Sequence, residues 1–145
     1  DIHRDACVEG LVDGTIDAVV TDHAPHEWEE KDQEFNLAPS GFVGLETSVG
    51  AMLTHLYHTG IIDLMTMVNV MSTAQAKILG LDAGVIAPGK DADLTILDLD
   101  KEWTVDSSKF YSKGKSTPFD EMIFKGKAAA AIVNGKFVMK NGEVL

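Results

Sequence analysis

Apolar positions along this chain follow a helical period in the first half and a two-residue period in the second. Residues 4–14 (RDACVEGLVDG) place Ala6, Val8 and Leu11 loosely along one face of a helix, and Asp13-Gly14 supplies a stop. Residues 16–20 (IDAVV) are mostly apolar and β-branched, too short for a stable helix and suited to a strand buried on both sides. This order predicts a parallel α/β unit. Pro25, Pro39 and a dense acidic cluster then mark a long irregular loop. From Leu45 to Tyr57, Val49, Met52, Leu53 and Leu56 recur at helical spacing, and Gly60 ends the run. Residues 63–71 form a second helical candidate with Asp63 as N-cap. The run STAQAKILGL offers another helix start, with Ser72 and Gln75 at capping-box spacing and Gly80 as the stop.

Near Asp82 the pattern changes. After the Pro88-Gly89 turn, Ala92, Leu94 and Ile96 alternate with polar residues, predicting a strand with one buried face. The alternation slips by one after Ile96, where Leu97 and Leu99 take over, so a bulge or a strand end is expected there. Further strands are predicted at 128–133, at 136–140 after Asn134-Gly135, and at the terminal EVL after Asn141-Gly142. The chain thus divides into an α/β region, 1–81, and a small β module, 82–145. It contains no internal repeat and no low-complexity tract.

Composition narrows the function classes. With 145 residues, 45% of them apolar, the chain is long enough for one substantial core. Twenty-three acidic against 12 basic residues give a formal charge of −11, which disfavours nucleic acid and anionic membranes as partners. An anionic substrate would need specific local donors. One cysteine, Cys7, cannot form an intramolecular disulfide and reads as a small buried hydrophobe in a reducing compartment. No run approaches the length of a membrane span, and the N-terminus lacks the order of a secretion signal, so a cytoplasmic protein is expected. The start at Asp1, within helical sequence, suggests a fragment.

The sharpest chemical feature is TDHAPH, residues 21–26. Asp22, His23 and His26 emerge just beyond the predicted strand, at the end where parallel sheets and barrels project catalytic groups. A carboxylate there can bind a divalent metal and exchange a proton with metal-bound water. Equally, Asp22 reads as an N-cap or a solvated loop carboxylate, and the histidines as ordinary surface residues. Asp22 and two histidines on an irregular loop do not by themselves complete a catalytic zinc site, which needs at least three converging protein ligands.

TDHAPH, a charged loop, LAPSGFVGLET, a helix, STAQAKILGL, GVIAPGKDADLTILD and the later STPF (116–119) together resemble the dihydroorotases of the amidohydrolase superfamily over nearly the whole chain. The resemblance implies the C-terminal part of a (β/α)8 metal-dependent hydrolase barrel, plus the β module formed with the C-terminal tail. It implies interconversion of L-dihydroorotate and N-carbamoyl-L-aspartate, in pyrimidine synthesis, with one or two zinc ions. By that resemblance Asp22 ligates metal and acts as general base and then general acid, His26 binds the substrate carboxylate, and Ser40 and Gly41 contribute substrate-binding backbone. His23 has no equally clear role and would orient the loop.

Departures qualify this. The family's HxH pair, bridging carboxylated lysine and two further histidines have no counterpart before Asp22, where His3 stands alone. Ser40 replaces a bulkier apolar residue, and Glu121 follows STPFD where glycine is common. A hydantoin or allantoin-type cyclic ureide is the alternative substrate. A non-catalytic scaffold for aspartate transcarbamoylase is the non-enzymatic alternative, against which the retention of Asp22 and His26 argues. A homodimer would cover exposed strand edges. The remaining marked residues read as structural: Met52, Met65, Met67 and Met71 as core filler, His55 and His58 as exposed or partner-facing, Trp28 and Trp103 as packing groups, Lys90 as part of a turn, and the acids Glu27, Glu29 and Glu30 as a solvated loop or a mobile lid.

Overall fold

The structure is a computed structural model that describes residues 2–145. Helix α1 (Ile2–Asp13) is followed by an extended stretch, a one-turn helix α2 (Trp28–Lys31), and α3 (Ser48–Met52), which continues as a π-helical stretch, Leu53–Tyr57. Helix α4 (Leu64–Val68) passes through a second π-helical stretch, Asn69–Thr73, into α5 (Ala74–Leu79). Strands β1 (Leu94–Thr104), β2 (Ile123–Val133), β3 (Lys136–Lys140) and β4 (Glu143–Val144) form one antiparallel sheet in that order.

The predicted helix ends hold where a backbone group demands them. Asp63 caps α4 by accepting the Thr66 N–H at 2.7 Å, and Gly80 closes α5 in the left-handed conformation, φ +67°. Ser72 starts no helix. It lies within the second π-helical stretch, and Gln75 reaches sideways to the carbonyls of Val19 and Val70. A capping box needs a free helix start, and here the preceding turns already supply hydrogen-bonded backbone.

The predicted strand at 16–20 forms no ladder. Val19 N–H donates to the Val70 carbonyl at 3.0 Å, so the segment lies against the second π-helical stretch, while Val20 is 75% exposed. Among the described residues no strand runs beside it, and a strand is defined by its neighbour's hydrogen bonds.

In the sheet, the register shifts between Ile96 and Leu97, where the alternation slips. Both β1 and β2 run further than the apolar alternation alone indicates, because each supplies the other's backbone partners. The two Asn-Gly pairs all have positive φ (49° and 72°, 53° and 86°), the geometry of two-residue hairpin turns.

Helix and sheet meet at a tight seam. Leu53 and Phe124 are fully buried, and Trp103 packs edge-on to Phe124 with its indole N–H on the Gly126 carbonyl. A Cβ on Gly50 would lie 2.7 Å from the Phe124 ring, and one on Gly126 2.4 Å from Leu53, so only glycine allows this approach. The Thr54 hydroxyl accepts the Lys125 N–H at 2.8 Å and fixes the register of the seam.

Leu11, Met52, Leu53, Ile62, Met67 and Val70 form the helical core. Three side chains depart from their expected places. Cys7 is exposed, Trp28 is 72% exposed, and Met65 is 73% exposed, because each projects from its helix away from this core. His55 is exposed yet stacks edge-on against Phe124, and His58 bonds the Leu99 carbonyl at 2.8 Å. Lys90 lies in a turn, paired with Asp82.

Candidate active site

The site grows from the extended segment after Ile16 and the loop that crosses it. Asp22 has φ +44°, a left-handed conformation that Asp tolerates better than most residues, and its carboxylate side is exposed. Behind it the chain is clasped to residues 40–44. His23 Nδ1 accepts the Gly44 N–H at 3.1 Å, and Ala24 N–H donates to the Phe42 carbonyl at 3.0 Å. Accepting at Nδ1 leaves the proton of the neutral ring on Nε2. His23 therefore orients the loop.

His26 is half-buried. Its Nε2–H donates to the Ser40 carbonyl at 3.0 Å, and Nδ1 stands 3.2 Å from Glu30, an ion pair formed only when the ring is protonated. Gly41, φ +119°, passes so close that a Cβ would sit 2.8 Å from that of Ala24 and 3.3 Å from His26 Nε2. The structure thus brings His26, Ser40 and Gly41 together on one side of the clasp, with Asp22 on the strand-like segment that the clasp fixes.

Two contributors were absent from the sequence reading. Lys31, on α2, donates to the carbonyls of Pro39 at 2.8 Å and Gly41 at 3.0 Å. Its place within an acid-rich run disguises it, since such a lysine reads as a surface ion-pair former. Glu46 accepts the backbone N–H groups of Tyr111 and Ser112, at 2.8 and 3.0 Å, and Val43 N–H bonds the Ser116 carbonyl. Gly114 lies against Pro25, where a Cβ would be 3.0 Å from the proline Cβ. The β1–β2 connection, which contains STPF, thereby straps the site loop to the sheet.

Among the described residues no group of three His, Cys, Asp or Glu side chains is arranged to hold a metal ion. Asp22 offers one carboxylate, and the histidines beside it are engaged with the loop backbone. These residues alone do not fit a metal centre.

With that geometry in place, the chain belongs to the amidohydrolase family, whose sequence profile matches residues 1–138. Within the family, it is 49% identical over 133 residues to a dihydroorotase of Pelotomaculum thermopropionicum, covering 92% of this chain and 31% of that one. A dihydroorotase of Geobacter metallireducens is 50% identical over 135 residues, covering 93% and 32%. Among solved structures, the L-hydantoinase (dihydropyrimidinase) of Arthrobacter aurescens superposes with a TM-score of 0.91 at 40% identity, over 96% of this chain and 32% of that one. The chain thus spans about a third of the length of the relatives it matches. No helix among the described residues is long and apolar enough to cross a membrane.

Proposed function

We propose that this chain is the C-terminal third of a dihydroorotase, a cytoplasmic zinc hydrolase that interconverts L-dihydroorotate and N-carbamoyl-L-aspartate in pyrimidine synthesis. In this reading residues 1–81 are the last strand-helix units of a (β/α)8 barrel, with 16–20 as its final strand, and 82–145 are a β module. The observation that carries it is the placement of Asp22: an exposed carboxylate immediately after an extended, ladder-less apolar segment, in a sequence about half identical to dihydroorotases. The exposure of Val20 supports a missing sheet neighbour.

The chemistry assigned to Asp22 is that of a shuttling base. Water adds to the ring carbonyl carbon while Asp22 accepts the proton that water loses. The C–N bond breaks as Asp22 returns that proton to the ring nitrogen, so the carboxylate is regenerated and one water is consumed. Zinc, bound in such a hydrolase, supplies Lewis acidity. Asp22 would be one of its ligands, with the others outside this chain. By the same resemblance, Ser40 and Gly41 lend backbone to the substrate, and His26 binds its carboxylate through Nδ1, the ring nitrogen not held by the Ser40 carbonyl.

The test is turnover by the complete gene product with zinc, offered dihydroorotate, a hydantoin and allantoin, beside its Asp22→Asn variant. Preference for dihydroorotate, lost in the variant with unchanged melting temperature, supports the proposal. Preference for the hydantoin favours the second reading, for which the 40% identity to the L-hydantoinase speaks. No turnover, with co-purification of aspartate transcarbamoylase, overturns both in favour of a scaffold.

A further inference from the structure

We infer that Lys31 is a positioning residue that aims the backbone donors of the 39–41 loop at the substrate. This rests on the functional reading above. Lys31 Nζ holds the carbonyls of Pro39 and Gly41, and His26 Nε2 holds the Ser40 carbonyl between them. Three successive carbonyls are therefore drawn towards two side chains.

No peptide bond in the described chain is cis, and in a trans peptide the N–H points opposite to the carbonyl of the same plane. The N–H groups of Ser40, Gly41 and Phe42, which share those three planes, therefore each point away from the side chain that holds the carbonyl of the same plane. None of the three donates to another group among the described residues, whereas the next residue, Val43, is paired with Ser116. Successive free backbone N–H groups suit an oxygen anion or a carbonyl. A carboxylate-bearing cyclic amide offers both.

The choice of partner by Lys31 is informative. Glu27, Glu29, Glu30, Asp32 and Glu34 are all within four residues of it in sequence, yet none forms an ion pair with its ammonium. An exposed lysine–carboxylate pair contributes little. Two charge-assisted bonds to a loop backbone order that loop instead. Lys31 is half-buried and its two carbonyl bonds span the glycine whose φ is +119°, the point at which an unrestrained loop would turn.

The experiment uses the complete gene product as wild type, Lys31→Met, which keeps the apolar stem, and Lys31→Arg, which keeps the charge. Two readouts are taken: amide exchange across 39–44, and KM and kcat on the substrate that the wild type prefers. The expected result for Lys31→Met is faster exchange confined to that loop, with KM raised about ten-fold and kcat within about two-fold, since only uniform binding is lost. Lys31→Arg restores most of both. Unchanged exchange and KM in Lys31→Met overturn the inference, as does a parallel loss of kcat and melting temperature that Arg does not rescue. If the wild type turns over no cyclic amide, the functional reading fails separately, and the assignment of Lys31 to the loop is then decided by exchange alone: local loosening in Met, reversed in Arg, sustains it, and its absence overturns it.

Discussion

His23 Nδ1 accepts the backbone N–H of Gly44 at 3.1 Å, which ties the residue after the candidate catalytic carboxylate to the buried end of the loop opposite. The bond exists only while Nδ1 carries no proton. Replacing His23 by Phe removes the acceptor and leaves the N–H of buried Gly44 unpaired, a cost of about 1 kcal/mol or somewhat more. The Gly44 amide is then expected to exchange roughly five-fold faster or more, by hydrogen-exchange mass spectrometry. His23→Asn, which can offer an oxygen acceptor, is expected to fall between Phe and wild type.

Gly50→Ala sets helix propensity against packing. Alanine favours a helix over glycine by about 1 kcal/mol. Its Cβ, however, would meet the Phe124 ring at 2.7 Å and the Trp103 ring at 2.8 Å, in a seam where Phe124 is fully buried. Overpacking of this kind costs about 1–3 kcal/mol, so a net loss is expected. A lower urea midpoint for Gly50→Ala, partly recovered by adding Phe124→Leu, is the predicted outcome. A midpoint above wild type would contradict the seam.

Asp63 makes a pH-dependent contribution. The Thr66 N–H bond holds its carboxyl below the ordinary aspartate value. A depressed folded value means that the stabilisation is present above the unfolded value and is lost as pH falls through the folded one. Melting temperature is therefore expected to drop more steeply on acidification below about pH 4 in the wild type than in Asp63→Asn, where the side chain caps without titrating. Parallel curves would argue against the cap.

Glu46 links the site loop to the β1–β2 connection through the N–H groups of Tyr111 and Ser112. Glu46→Ala is expected to raise proteolytic cleavage between 107 and 118 without altering exchange in β2. The Gly114–Pro25 contact predicts that the same variant also loosens 24–26. Cleavage equal to wild type would show that the strap is held by other contacts.

The sequence alone determined the local features whose cause lies within a few residues. Asp63 and Gly80 mark helix ends because a cap and a left-handed turn are local geometry, and the two Asn-Gly turns follow from positive φ in the same way. The slip after Ile96 was readable because a bulge changes which alternate residues are apolar. TDHAPH stood out by composition and resemblance. What depended on partners distant in the chain was decided only by the tertiary structure. Residues 16–20 need a neighbouring strand to become one, Gln75 spends its amide on Val19 and Val70 rather than on a cap, and Lys31 ignores adjacent carboxylates for carbonyls eight and ten residues away. Hydrogen bonds are short-ranged and directional, so which donor meets which acceptor is settled when the loops are packed against each other.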